Sequence, residues 1–111
     1  MIYLLDTHTA MWALKDKNKL SAAAKSIIDD VSVVLCVSII SVWEIAIKIS
    51  IGKLDFNGGA AFFLKKMQQN GIELINIKGT HIVYVESLPL LHRDPFDRLL
   101  ISTAATENRL L

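Results

Sequence analysis

The amino-acid sequence predicts an α/β fold in which a central parallel sheet is covered by helices on both faces. Two observations predict this class. Short apolar runs of strand length alternate with longer segments whose apolar residues recur at helical spacing. The short runs are also nearly continuous in apolar character, which is typical of strands that are buried on both faces of a parallel sheet. We therefore expect three layers, with the sheet in the middle.

The first half of the chain contains two predicted strands and three predicted helices. The strands are Ile2–Leu5 and residues 33–37. Thr7 is placed to cap the first helix, and Ser21 is placed to cap the second, which continues to Ile28. Residues 39–51 are apolar nearly all round and run well past strand length, so they are predicted to form a third helix that ends at Gly52.

The second half continues the alternation. Gly58-Gly59 opens a helix that Asn70-Gly71 ends, residues 72–77 form the third strand, and residues 80–87 form a short helix. Asp94-Pro95 is a helix start, with an acidic N-cap before a proline at the first helical position. The buried stripe of this last helix is predicted to comprise Leu99, Leu100, Ile101, Ala104 and Ala105, and Leu110 and Leu111 are predicted to open a fourth strand.

Composition narrows the class of protein. The 111 residues are 52% hydrophobic and 21% charged, which predicts one folded domain over residues 1–111 and excludes a disordered chain. The net charge of +1 argues against non-specific, charge-driven binding of nucleic acid. The single cysteine, Cys36, excludes an internal disulfide and is expected in the core. Because Asp6 follows only five residues, the N-terminus is not a secretory signal, so we expect a cytoplasmic protein with no membrane span.

Three acids stand where a charge is costly. Asp6 follows an apolar strand that we expect to be central in the sheet, although it would also serve as the cap of the next helix. Glu44 lies on the narrow polar stripe of the third helix, where a surface ion pair with Lys48 is the alternative. Asp97 lies in the first turn of the last helix. Its neighbour Asp94 is the ordinary capping residue.

The three acids together would suit a site for a divalent cation. A strand end and two helices would have to bring Asp6, Glu44 and Asp97 together, and a hard divalent cation would make such a cluster tolerable. The carboxyl ends of parallel strands, where Asp6 lies, also border the usual ligand crevice of an α/β sheet. The sequence therefore predicts a metal site at this edge.

Three sequence blocks together resemble the PIN-domain family in its VapC-like branch. They are Leu4-Leu5-Asp6-Thr7-His8, the segment Ser41-Val42-Trp43-Glu44-Ile45-Ala46-Ile47-Lys48 with Gly52-Lys53-Leu54, and His92-Arg93-Asp94-Pro95-Phe96-Asp97-Arg98-Leu99-Leu100-Ile101. The resemblance covers the whole chain in order and spacing. It implies an endoribonuclease that depends on Mg²⁺ or Mn²⁺, with Asp6, Glu44 and Asp97 as catalytic and metal-binding residues. Further candidates for the site are Asp94, Thr7, Ser41 and Arg98.

The resemblance also implies partners and a mechanism. It implies an RNA substrate, a cognate antitoxin protein and a homodimer. Carboxylate-held metal would generate the nucleophile from water, so no protein nucleophile is needed. Asp6 and Asp97 are the expected primary ligands, and Glu44 is a further ligand or orients the attacking water. The family pattern continues into a further strand near a Thr-x-Asp element, whereas this chain stops at Leu111. We therefore expect a fold truncated before its last strands, or completed by a partner, and at most one well-held ion.

Two other function classes remain open. One is a catalytically weakened or inactive PIN module that keeps only its antitoxin-binding or dimer surface. The other is a phosphotransferase or phosphatase with Asp6 as nucleophile; the haloacid dehalogenase-like pattern has a second acid two residues later, where this chain has His8.

The remaining polar and aromatic residues are expected to have ordinary structural roles. The three histidines, His8, His81 and His92, share no metal-site spacing and are expected at the surface or as caps. Arg93 and Arg98 would contact phosphate or neutralise the acids. Trp12 and Trp43 are expected in the core.

Overall fold

A computed structural model of the chain describes residues 1–89, 94–107 and 109. In these residues three strands and six helices follow one another. They are β1 (Ile2–Leu5), α1 (Thr7–Lys15), α2 (Ala22–Asp29), β2 (Val34–Ser38), α3 (Ile39–Ser50), α4 (Gly59–Gln69), β3 (Glu73–Ile75), α5 (Gly79–Val85) and α6 (Pro95–Thr106), with a 3₁₀ turn at Lys17–Lys19. The predicted order of strands and helices is confirmed.

The three strands form one parallel sheet in the order β1-β2-β3. Leu4 pairs with Cys36, and Val37 pairs with Leu74. The parallel sheet is therefore as predicted, but its predicted centre is wrong for the described residues, because β2 lies in the middle and β1 at an edge. An apolar run indicates that both faces of a strand are buried, and it carries no information on the number of neighbouring strands.

Each face of the sheet contributes to its own core. Successive side chains of a strand point to opposite faces, so Leu4 and Cys36 pack on one face while Leu5 and Val37 pack on the other. The first core is completed by Ile40, Ile75, Leu100 and Ala104, and the second by Ala10, Ile45, Phe63 and Met67. Helices thus cover both faces, as predicted. Cys36 is fully buried, as expected, and burial raises the pKa of its thiol.

Some element details differ from the predictions. The third strand is only Glu73–Ile75, and the predicted fourth strand at Leu110 and Leu111 lies outside the described residues. On α6, Leu100 and Ala104 are buried as predicted, but Ala105 is exposed. Ser102 and Thr103 are buried because their hydroxyls donate to the carbonyls of His81 and Leu99, respectively. Internal hydrogen bonds therefore allow polar residues into the predicted apolar stripe.

Capping explains where α2 begins and where α3 ends. Ser21 caps α2 as predicted, with its side chain accepting a hydrogen bond from the Ala24 amide at 3.0 Å. Gly52, with φ of 73°, turns the chain at the end of α3, and the amides of Lys53 and Leu54 both bond back to the Lys48 carbonyl. Within the described residues, the helices are too short or too polar to cross a membrane.

Candidate active site

Asp6 stands between β1 and α1. Its backbone is extended, and its side chain accepts a hydrogen bond from the Thr9 amide at 2.8 Å, so Asp6 is the N-cap of α1. The prediction that Thr7 caps this helix is wrong. Thr7 already has helical geometry, and the capping oxygen must come from the preceding residue with extended backbone. The alternative role of Asp6 as the cap of the next helix is therefore found. Its second carboxylate oxygen makes no hydrogen bond with the described residues.

Freed from capping, the Thr7 side chain turns towards α3. Its hydroxyl lies 2.7 Å from Oε1 of Glu44 and 2.9 Å from Oγ of Ser41, and all three residues are buried. One hydroxyl carries one proton, and a carboxylate only accepts, so Thr7 donates to Glu44 and accepts from Ser41. The three side chains thus form a buried chain of hydrogen bonds that fixes the Glu44 carboxylate.

Glu44 is held from its other side by Lys48. The Lys48 Nζ lies 2.5 Å from Oε2, with 5% of the Glu44 side chain and 30% of the Lys48 side chain exposed. The predicted i, i+4 pair therefore forms, but it is not a surface pair, because the polar stripe of α3 faces a cleft. The hydrogen bond to Glu44 is the main cause that raises the pKa of Lys48. Lys48 remains protonated and neutralises a carboxylate that would otherwise be buried alone.

The N-terminus of α6 supplies two more acids. Asp94 caps the helix, accepting a hydrogen bond from the Phe96 amide at 2.8 Å, and Asp97 lies in the first turn. Partial desolvation of its carboxyl raises the pKa of Asp97, and the negative charges of Asp94 and Glu44 raise it further. A group that is surrounded by like charges in this way is a candidate for a functional site.

One cleft of about 260 Å³ brings these residues together. It is lined by Asp6, Thr7, His8, Glu44, Lys48, Asp94 and Asp97. The predicted trio of Asp6, Glu44 and Asp97 therefore shares one cavity with two further candidates, Asp94 and Thr7, while Ser41 lies behind Thr7. The cleft opens at the carboxyl end of β1, between the start of α1, α3 and the start of α6.

The donor set of this cleft fits a hard divalent cation. Mg²⁺ and Mn²⁺ prefer carboxylate oxygens, and four carboxylates line the cavity. As placed, no three His, Cys, Asp or Glu side chains among the described residues form a ready ligand set. The hydrogen bonds explain why. Both oxygens of Glu44 are occupied, whereas neither oxygen of Asp97 is bound to a described residue. Asp97, with both oxygens open, and Asp6 and Asp94, with one open oxygen each, are thus the groups among the described residues able to accept a cation.

The remaining candidates lie elsewhere or make other contacts. Arg98 donates to the carbonyls of Val85 and Pro89 at 2.9 and 3.0 Å, which ties α6 to the end of α5. His92 and Arg93 lie outside the described residues. His8 is exposed as expected, and it also lines the cleft, a role that its sequence spacing did not indicate.

The expectation of a surface or capping residue is only half right for His81. Its Nδ1 accepts from the Lys78 amide at 3.1 Å, so it does act at a helix start, but the side chain is fully buried. Its Nε2 lies 3.5 Å from a carboxylate oxygen of Glu107, beyond ordinary hydrogen-bonding distance. The residue is joined to α6 instead through its carbonyl, which accepts a hydrogen bond from the Ser102 hydroxyl.

The expectation of core tryptophans is wrong for Trp43, which is 53% exposed and packs edge-on against Phe96 with ring centroids 5.0 Å apart. Trp12 is half-buried and packs near His8. An amphipathic ring at a half-covered position satisfies both solvent and core, so aromatic character alone does not fix burial.

Comparison with known proteins identifies the fold family. The family model of the PIN domain matches residues 3–111, which is nearly the whole chain. The chain belongs to the PIN domain family. PIN domains are generally nucleases that use divalent metal ions, which agrees with the acidic cleft.

The PIN fold is also found among solved structures. A chain in the crystal structure of VapBC2 from Rickettsia felis, bound to a DNA fragment from its promoter, is similar with a TM-score of 0.71 and 19% identity. The alignment covers 98% of this PIN domain and 84% of that chain. At this identity the likeness shows a shared fold. A comparison with curated proteins finds no match.

Proposed function

We propose that this PIN domain is a metal-dependent endoribonuclease and the toxin of a toxin–antitoxin pair. The observation that carries the proposal is the single cleft in which Asp6, Glu44, Asp94 and Asp97 meet. Four carboxylates in one cavity are costly without a cation, and phosphodiester hydrolysis by a carboxylate-held cation requires such a cluster. Membership of the PIN domain family supports the same reaction class.

Asp6 and Asp97 would hold the cation, Mg²⁺ or Mn²⁺, as the resemblance of the sequence blocks implies. Both keep carboxylate oxygens that no described residue occupies, as Asp94 also does. When bound, the cation would supply an activated water and neutralise the phosphate charge. Glu44 is fixed by Thr7 and Lys48, which suits a group that orients the attacking water. Thr7 and Ser41 are positioning residues, since they act through Glu44. Asp94 keeps the start of α6 in place and adds negative charge.

The proposal extends to partners and location. The similar fold of VapBC2 supports a protein partner, which on this proposal is a small antitoxin. The homodimer and the cytoplasmic location are part of the proposal and rest on the resemblance of the three sequence blocks. RNA is the proposed substrate.

The deciding experiment is RNA cleavage by the purified chain with and without Mg²⁺ or Mn²⁺. Asp6→Asn controls for contaminating nucleases, and Asp55→Asn serves as a matched change at an acid that lines no part of the cleft. We expect metal-dependent cutting that Asp6→Asn abolishes and Asp55→Asn leaves unchanged. If no protein cuts RNA under either condition, the chain is instead an inactive PIN module that keeps only its binding surfaces.

A further inference from the structure

A second groove adjoins the acidic cleft. It has a volume of about 250 Å³ and shares Thr7, His8, Glu44 and Lys48 with the cleft. Its own part is lined by Met11, Ile45, Lys53 and Leu54. We call it the Lys53 groove. Since four residues line both cavities, the two lie side by side, and a chain molecule bound in the acidic cleft passes close to the Lys53 groove.

The local backbone explains why Lys53 and Leu54 line this groove. Gly52 adopts a left-handed conformation after α3, and the next two amides both bond to the Lys48 carbonyl, Lys53 at 2.8 Å and Leu54 at 3.2 Å. The chain therefore folds back along the end of α3. The block Gly52-Lys53-Leu54 does not line the acidic cleft. Its two side chains line the Lys53 groove instead.

The charges of the groove differ from those of the cleft. Lys48 is committed to Glu44, and these two charges offset each other. Lys53 is exposed and has no ion pair with any residue in the described part of the chain. The groove therefore combines one cation that has no ion pair among the described residues with the apolar side chains of Met11 and Leu54, beside an acidic cavity. A cation beside an apolar floor suits a group that carries both negative charge and a flat apolar face.

We propose that the Lys53 groove binds one nucleotide of a single-stranded RNA, adjacent to the phosphate that is cleaved. This inference rests on the proposed ribonuclease function. The Lys53 ammonium contacts the phosphate of that nucleotide, and its base lies against Met11 and Leu54. The volume lies just below the roughly 300–1,000 Å³ of ordinary ligand pockets, so it suits one nucleotide. A paired base is stacked inside a duplex, so the occupant is a single strand.

The test is binding of a short single-stranded RNA oligonucleotide, followed by fluorescence anisotropy over a range of salt concentrations. All proteins carry Asp97→Asn, and EDTA is present, so that cleavage does not interfere. Lys53→Gln is compared with Lys65→Gln, a matched change at an exposed lysine of α4 that lines neither cavity. Thermal unfolding checks that each variant is folded.

We expect Lys53→Gln to weaken binding roughly three- to tenfold, the range for loss of one net hydrogen bond at a solvent-exposed site. The slope of log K against log salt should become shallower by about 0.7, which corresponds to one phosphate of a single strand. Lys65→Gln should change neither quantity. Equal affinities and slopes for the two variants would overturn the inference, as would failure of the parent protein to bind the oligonucleotide at low salt.

Replacement of single phosphates by neutral methylphosphonates locates the contact. In the parent protein one position should weaken binding most, and Lys53→Gln should remove that extra loss, because the two changes delete the same interaction. An abasic site at the adjacent nucleotide should also weaken binding if the apolar floor holds a base. A loss that is the same at every position would mean that Lys53 acts only as a general charge, and would overturn the subsite.

The outcomes are separable from those of the proposed function. Cleavage is measured with the unmodified chain and Mg²⁺, whereas the subsite is measured without either cleavage or added metal. Metal-dependent cleavage together with unchanged binding by Lys53→Gln would sink the subsite and leave the nuclease proposal in place. A Lys53→Gln change that weakens binding of a protein partner and leaves RNA binding unaltered would assign the groove to a peptide instead.

Discussion

Thr7 links two elements through a single hydroxyl. It belongs to the first turn of α1, and its partners Ser41 and Glu44 belong to α3. Because Glu44 is only 4% exposed, water cannot readily replace a lost donor. A carboxylate oxygen that is buried without a donor carries a large desolvation cost.

Thr7→Val tests this link with a side chain of nearly the same shape. We expect a loss of about 1–3 kcal/mol in the free energy of unfolding, because Oε1 of Glu44 loses its hydrogen-bond donor. Urea unfolding measures the change, and Thr9→Val is the matched control, since the Thr9 hydroxyl makes no hydrogen bond with the described residues. Equal effects of the two changes would mean that Thr7 does not hold Glu44.

Asp97 provides a prediction of pH dependence. Its pKa is raised above the ordinary value near 4, first by desolvation and then by neighbouring acids. A raised pKa in the folded state means that the protonated form is favoured there. The contribution of Asp97 to stability is therefore fully present below the unfolded-state pKa, and it is lost as pH rises through the higher folded-state pKa.

Asp97→Asn should remove this loss. Without divalent cations, we expect the variant to be at least as stable as the parent at neutral pH and to show a flatter dependence of unfolding free energy on pH above about 4. Cleavage activity should be lost in the same variant. Urea unfolding across the pH range is the measurement, with Asp55→Asn as control. A variant that is less stable at neutral pH would mean that the helix-dipole interaction of Asp97 outweighs the repulsion.

Sequence reasoning found the acids but not their connections. Asp6, Glu44 and Asp97 were identifiable because each lies where a carboxylate is costly, and their roles remain predictions. The Thr7–Glu44 contact joins residues 37 positions apart, so it depends on how α1 and α3 pack. Nothing local to Thr7 marks it as a partner of Glu44, and its position after the strand favoured the wrong role of helix cap.

At the scale of elements, the end of α3 determines the shape of the Lys53 groove. Gly52 has φ of 73°, and an added Cβ would meet no atom within 4 Å, so only backbone strain opposes a side chain there. Gly79, at the start of α5, is equally open and does not have positive φ. Neither position is crowded, so a comparison of the two glycines isolates the effect of positive φ.

Gly52→Ala should lower the free energy of unfolding by about 1–2 kcal/mol, because an L-residue in the left-handed region is strained. Gly79→Ala should be neutral or stabilising by about 0.4–1 kcal/mol, since alanine restricts the unfolded chain without strain in the folded one. Thermal or urea unfolding distinguishes the two outcomes. Comparable losses at both positions would show that the turn after α3 does not require glycine.

The strands and helices themselves were more predictable than the way in which they pack against one another. Apolar runs and caps predicted each described strand and helix in order, because both signals are local. The position of β1 at the edge of the sheet formed by the described residues, and the burial of His81, were not predictable. Both depend on pairing between distant segments, β1 with β2 in one case and α5 with α6 in the other.

For the whole molecule, the acidic cleft is a site where repulsion between carboxylates destabilises the folded state. Residues from β1 to α6 converge there, and only Lys48 among the lining residues is paired with one of the acids. Because most mutual repulsion in such a cluster disappears when a cation binds, the metal should couple to folding as well as to catalysis.

Mg²⁺ should therefore stabilise the folded chain. At a free concentration 100 times the dissociation constant, one bound ion adds about 2.7 kcal/mol to the free energy of unfolding, and EDTA should reverse the gain. Asp6→Asn and Asp97→Asn should each abolish it, and Asp55→Asn should retain it. Thermal unfolding measures the gain, while calorimetric titration gives the stoichiometry. Since Glu44 is held by Thr7 and Lys48, three of the four described cleft carboxylates are open to a cation, and we expect one ion per chain. Two tightly bound ions per chain would contradict this expectation.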